Sequence, residues 1–137
     1  MMPLDVTVKT SMTDAIIERF EAMATESMFG KFLMTMINFR RNSNPDLFIS
    51  LYSMFHDAVV AVYAINPKLF TTKKVNVVVD TSSDIMLNYG RTLCDINGIT
   101  GRTPNVNLVL DVNVEEYWNL VMSVLTTLST KSKNNLI

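Results

Sequence analysis

The sequence predicts an α+β fold: a small three-stranded sheet, mixed or antiparallel, with about four helices packed mainly on one face, in the order β-α-α-β-α-β-α. Three observations predict it. Three short stretches alternate apolar and polar residues with period two, the mark of half-buried strands. The segments between them repeat their apolar residues at helical spacing. The 137 residues match one domain with its own core, and neither an internal repeat nor a low-complexity linker divides them. We therefore expect one unit over 1–130 and a frayed tail over 131–137.

Each element has its own signal. Leu4, Val6 and Val8 alternate with Asp5, Thr7 and Lys9, which predicts the first strand. The cluster Thr10 to Thr13 can cap a helix, and Ile16, Phe20, Met23 and Ala24 follow at helical spacing. Acids gather early in this segment and Arg40 and Arg41 close it, an order that complements the helix dipole. Gly30 is expected to split or kink the segment. Its second half, 32–39, is apolar nearly all round, as in a helix inside a core or against a partner.

Asn44-Pro45 reads as a helix start, with Asn as cap and Pro in the first turn. That helix is expected to run to Ile65, where Asn66-Pro67 stops it. Lys73 to Asp80 reads as the second strand, with Val75, Val77 and Val79 on one face. A short helix is expected from the Asp80–Asp84 turn through about Cys94, ended by Asn97-Gly98. A loop over 98–105 leads to the third strand, Val106 to Val112. Asn113 with Glu116 three residues on predicts a capped last helix.

Composition narrows the function classes. Charged residues make up 18% of the chain and hydrophobic ones 48%, against roughly 25% charged in an ordinary soluble domain. So few charges suggest that part of the surface is covered, most simply by a second copy. The interface candidates are Met34, Phe39, Phe48, Tyr52 and Phe55. Ten methionines, several of them in the first helical region, fit either core filler or an adaptable binding surface. A net charge of −1 gives no field for nucleic acid, which is not expected as a partner. One cysteine, Cys94, rules out an intrachain disulfide. No basic, apolar leader opens the chain and no apolar run approaches ~20 residues. A cytoplasmic protein without a membrane partner is expected.

Candidate chemistry is sparse. Asp80-Thr81-Ser82-Ser83-Asp84 places acids and hydroxyls where they could hold a hard cation. It resembles the Asp-x-Ser-x-Ser metal loop of von Willebrand A-type domains over those five residues only. It departs from that pattern at Asp84, and those domains have larger parallel sheets. The competing reading is a turn in which Ser82 or Ser83 caps the next helix. Asp80 and Asp111, both near predicted strand ends, would share a metal or divide acid and base roles only if the strand order brought them together. Arg102 in the 98–105 loop could bind an anion with backbone N–H groups, although the loop matches no nucleotide-binding pattern. His56, the only histidine, falls mid-helix beside Asp57, and adjacent helical residues point about 100° apart. It reads as a half-buried polar residue.

The expected function is therefore a non-enzymatic interaction or regulatory module, a homo-oligomer binding another protein, with no catalytic residue and no cofactor. The alternatives are a small metal- or anion-binding enzyme using Asp80, Asp84, Asp111 and Arg102, and a structural subunit of a larger assembly.

Overall fold

The computed structural model describes residues 1–43, 55–82 and 88–134. Among them the chain forms five α-helices and a three-stranded antiparallel sheet. The α+β class is as expected; several elements differ from the sequence reading.

The first difference is at the start. Leu4–Thr7 is one α-helical turn, α1, and Val8–Thr10 continues it as a 3-10 turn. The N–H groups of Val6 and Thr7 both reach the Pro3 carbonyl. Thr7 Oγ1 donates back to the Leu4 carbonyl at 3.1 Å and Thr10 Oγ1 to that of Thr7 at 2.8 Å. These hydroxyls stabilise the turn locally. The buried set is Val6, Thr7 and Thr10, at helical and not period-two spacing. Leu4, which the strand reading placed inside, is 58% exposed.

Helix α2, Asp14–Glu26, buries Ile17, Phe20 and Met23. It ends at Ser27, whose extended backbone separates it from α3, Met28–Ser43. Ser27 caps α3: its Oγ accepts the Gly30 N–H at 2.9 Å and the Ser129 hydroxyl at 2.6 Å. The chain thus breaks at Ser27, and Gly30 lies in the first turn of α3. The expected role of Gly30 as breaker is replaced by a packing role. A Cβ built there would come 2.1 Å from the Met23 carbonyl oxygen, so α2 and α3 approach as they do because the position has no side chain.

Helix α4, His56–Ile65, begins after Phe55, and the Asn66 N–H closes it on the Val62 carbonyl at 2.8 Å. The predicted start at Asn44-Pro45 lies outside the described residues. A 3-10 turn at Pro67–Leu69 leads into β1, Phe70–Val79. β2 is Thr92–Asp95 and β3 is Val106–Val112. Thr92–Asp95 was expected to close a helix; instead it pairs antiparallel with Asn76–Val79.

β1 is the central strand, in the order β2-β1-β3. Its first half pairs with β3, from Phe70 opposite Val112 to Val75 opposite Val106, with a bulge between Thr71 and Thr72. Asn105 prolongs that pairing with its side chain: Val77 N–H donates to its Oδ1 at 2.8 Å, and its Nδ2 donates to the Val77 carbonyl at 3.0 Å. An amide here stands in for a strand residue.

Helix α5, Val114–Asn134, starts as predicted: Asn113 Oδ1 accepts the Glu116 N–H at 3.2 Å. It buries Tyr117, Trp118, Met122 and Ser129. The core joins Phe20, Ile37, Val59, Val62, Phe70, Val109, Val112, Tyr117 and Trp118. Trp118 Nε1 has no hydrogen-bond partner among the described residues. Burial pushes the Tyr117 phenol up to about 12, against a smaller lowering from the neighbouring Thr10 hydroxyl. Among the described residues no helix is long and apolar enough to cross a membrane.

Candidate active site

The start of α4 brings together the one histidine, an acid and an ordered support. The imidazole of His56 is half-buried, and its Nδ1 lies 2.8 Å from Thr7 Oγ1. Thr7 is 4% exposed, and its hydroxyl proton is directed to the Leu4 carbonyl. A hydroxyl has one proton and two lone pairs. The donor and acceptor roles across the 2.8 Å contact follow the ring tautomer; with the Thr7 proton on the Leu4 carbonyl, Thr7 accepts from Nδ1–H. In that tautomer Nε2 keeps the lone pair, ready to take a proton or, once charged, to give one. The backbone turn that holds Thr7 is the same one that replaced the expected strand.

An aromatic cluster fixes the base of this arrangement. Phe55, one residue before His56, stacks on Phe20 with ring centres 6.1 Å apart and rings 7° from parallel. Trp118 meets both edge-on, at 6.4 and 6.3 Å. Such contacts contribute about 0.5–1.5 kcal/mol each beyond burial. They anchor the end of α4 to α2 and α5. Asp57, in the first turn of α4, is exposed and complements the positive end of the helix.

The residues singled out in the sequence lie elsewhere. Asp80 follows the end of β1, whereas Asp111 pairs with Thr71 near its beginning. Thr71 and Asp80 are nine positions apart, roughly 30 Å at ~3.3 Å per residue, so the sheet does not bring the two carboxylates together. Asp80 closes its own turn, its Oδ1 accepting the Ser82 N–H and hydroxyl at 2.9 and 2.6 Å, which holds its carboxyl below the usual range. Asp111 pairs with Lys9 at 2.8 Å, and that bond lowers its pKa likewise. Ser83 and Asp84 lie outside the described residues. No group of three or more His, Cys, Asp or Glu side chains among the described residues is placed to share a metal.

In the 98–105 loop, the N–H groups of Ile99 and Thr100 and the Thr100 hydroxyl all donate to Asp95, at 2.9, 2.9 and 2.6 Å. Donors that an external anion would need are held by an internal one, with Thr100 the main cause of a lowered Asp95 pKa. Arg102 borders shallow grooves beside this loop. Of the interface candidates, Met34 is buried, Phe55 belongs to the aromatic cluster and Phe39 is exposed; Phe48 and Tyr52 lie outside the described residues.

Comparison with known proteins decides the family. A family model described as inosine-uridine preferring nucleoside hydrolase matches residues 1–119. The chain belongs to this nucleoside hydrolase family. Its fold agrees: the structure of a purine-preferring ribonucleoside hydrolase from Gardnerella vaginalis superposes with a TM-score of 0.75 at 25% identity, covering 94% of this chain and 40% of that one. A probable ribonucleoside hydrolase of Dictyostelium discoideum is 27% identical over 129 residues, 91% of this chain. The pyrimidine-specific ribonucleoside hydrolase RihB of Escherichia coli is 31% identical over 121 residues, 88% of this chain. The chain spans 37% of the length of each of these two relatives.

Membership in a nucleoside hydrolase family overturns the expectation of a non-enzymatic interaction or regulatory module. That expectation rested on low charge, nearly all-apolar helices, high Met content and the absence of a catalytic constellation, and the last was missed for a physical reason. Starting α4 at Asn44-Pro45 put His56 mid-helix, and reading Leu4–Val8 as a strand hid the turn that presents Thr7. The local signal was Phe-His-Asp leading directly into the apolar run 58–65.

Proposed function

We propose that this chain supplies the histidine-bearing part of a ribonucleoside hydrolase site. The observation that carries the reading is His56, held through Nδ1 by a buried threonine at the end of a helix, in a chain of this family. The relatives are named for different bases, pyrimidine in one and purine in another, so the shared substrate class is the ribonucleoside.

The reaction breaks the bond between ribose C1′ and the base nitrogen. The bonding pair leaves with the base, a water oxygen bonds to C1′, and the proton that water loses ends on the base. The products are free ribose and free base. A departing base is a poor leaving group until its charge is met by a proton. Histidine is the side chain most often used to move protons in catalysis, and Nε2 of His56 is the atom that would do so. Thr7 acts as a positioning residue, keeping the ring in one tautomer. Phe55, Phe20 and Trp118 limit the travel of the backbone that carries the ring.

The test is release of ribose from inosine and uridine. It is measured with this chain alone and with this chain mixed with the part of RihB that it does not match. Release of ribose in either condition, scaling with the concentration of this chain, is the expected result. No release from any common ribonucleoside in both conditions overturns the reading.

A further inference from the structure

The two edges of the sheet differ. On the β3 edge the backbone of Met1 lies along the strand: the Val109 N–H donates to the Met1 carbonyl at 3.0 Å, and the Met1 amine donates to the Asn107 carbonyl at 2.7 Å. On the β2 edge no strand among the described residues is paired. In an antiparallel pair the backbone groups of alternate residues face the neighbouring strand. The Asp80 N–H reaches the Arg91 carbonyl at 2.9 Å, so Arg91, Leu93 and Asp95 turn their backbone groups toward β1. Thr92 and Cys94 turn theirs outward. The Cys94 carbonyl also accepts the Ile96 N–H at 3.0 Å, which leaves one of its two lone pairs. Proteins blunt such an edge with Pro, Lys or a bulge. Thr92–Asp95 holds neither residue, and its register with β1 runs without a shift.

The side chains along this edge are complementary to themselves. Leu93 is 49% exposed and sits opposite Val78; both line a shallow groove with Ile99, which is 85% exposed. Arg91 and Asp95 lie two residues either side of Leu93, on the same face of the strand. If β2 pairs antiparallel with a second β2 about a twofold axis at Leu93, the two Leu93 side chains meet. Thr92 then exchanges both backbone hydrogen bonds with Cys94 of the other copy, and Arg91 lies opposite its Asp95. Other registers lose the match: an axis at Cys94 sets Leu93 against Asp95, and an axis at Thr92 sets Arg91 against Leu93. Both charged groups have capacity for the pair. Asp95 accepts one bond on Oδ1 and two on Oδ2 from its own loop, and a carboxylate has about four such sites. Arg91 is exposed, with Nη1 3.5 Å from Asn88 Oδ1 and further N–H donors to give.

We infer that the β2 edge is a docking surface for a second copy of this chain, joined strand to strand about a twofold axis at Leu93. The interface is isologous, the same patch serving both copies. Main-chain bonds between the two β2 strands hold the pair, and the Arg91–Asp95 contacts, one on each side of the axis, fix the register. The two sheets then run on as one, and the groove beside Leu93 in each copy is brought against its counterpart. This inference stands apart from the ribonucleoside hydrolase reading, since it uses no residue of the His56 site.

The experiment is sedimentation velocity of the full 137-residue chain across a dilution series, with three variants. The unaltered chain is expected to be a dimer that dissociates on dilution. Thr92→Pro removes an outward N–H that bonds nothing in the β1 pairing, so it is expected to weaken the dimer at least tenfold while the circular dichroism stays the same. Arg91→Glu, which sets acid against acid, is expected to weaken it as much. Residues facing each other at the axis have Cα atoms about 4.5 Å apart, within disulfide reach. Leu93→Cys in a Cys94→Ser background should therefore form an interchain disulfide under mild oxidation, and Val79→Cys in the same background, exposed on the other face of β1, should not. Three outcomes overturn the inference: a monomer at every concentration, a dimer indifferent to Thr92→Pro and Arg91→Glu, or a Leu93→Cys chain that links no faster than Val79→Cys.

Discussion

The Thr7 hydroxyl lies 3.1 Å from the Leu4 carbonyl and 2.8 Å from His56 Nδ1. Its one proton serves one of the two, and given to Leu4 it leaves lone pairs that accept from Nδ1–H. With one histidine in the chain, ¹⁵N-imidazole NMR reads this tautomer without ambiguity. The neutral ring is expected to carry its hydrogen on Nδ1. Thr7→Val removes the acceptor, shifts the population toward the Nε2–H form and costs about 1 kcal/mol of stability. An unchanged tautomer in Thr7→Val would remove Thr7 from the account.

Asp95 makes a second prediction at this scale. Its carboxyl holds the 98–105 loop through Thr100 and Ile99, and the Thr100 bonds hold its pKa below the ordinary value of 3.8. A carboxyl with a lowered folded pKa adds stability that is present above its unfolded pKa and is lost as pH falls through the folded one. The amides of Ile99 and Thr100 should therefore stay protected at neutral pH and open below about pH 4. Asp95→Asn should expose them at neutral pH, as read by hydrogen exchange. Protection that is indifferent to both would contradict the assigned role. Little of this was legible in the sequence: Gly98, Gly101 and Pro104 announced a turn, but which carboxylate filled it depended on β2 being a strand.

At the scale of elements, the third strand lies at Val106–Val112 and the Asn113 cap precedes an acidic first turn, as the sequence read them. The strand's burial does not alternate: Leu108 and Val109 are both buried and Leu110 is exposed, where the β1–β3 pairing carries a bulge. Periodicity failed at short elements. Leu4–Thr7 is four residues long, too short for period two to be told from one helical turn. Thr92–Asp95 is likewise four residues, and its pairing with Asn76–Val79 is a long-range fact. Gly30 shows the other limit. The sequence marked it as a breaker, whereas its constraint is the Met23 backbone across the α2–α3 contact. Gly30→Ala would gain about 1 kcal/mol of helix propensity. The overpacking it causes costs about 1–3 kcal/mol or more, and a backbone carbonyl cannot rotate aside as a side chain can. The variant should melt several degrees lower. A melting temperature equal to or above that of the unaltered chain would show that the helices part more easily than the geometry implies.

For the whole molecule, the low charge content was the informative sequence signal. The sequence suggested covered surface, and a second copy was the simplest cover. The structure locates exposed apolar side chains on α3, Met28, Phe32 and Met36 among them. Function was legible only through His56, which the sequence displayed beside an acid but could not place next to Thr7, 49 residues away.

The most direct measurement is the rate of ribose release from inosine and uridine, comparing the unaltered chain with His56→Ala at equal folded concentration. A proton-transfer residue contributes about 10²–10⁴-fold. The account predicts a loss of that size in turnover, with the helical circular dichroism of the chain unchanged. A His56→Ala protein that releases ribose at the unaltered rate would contradict it and move the chemistry to another part of the fold.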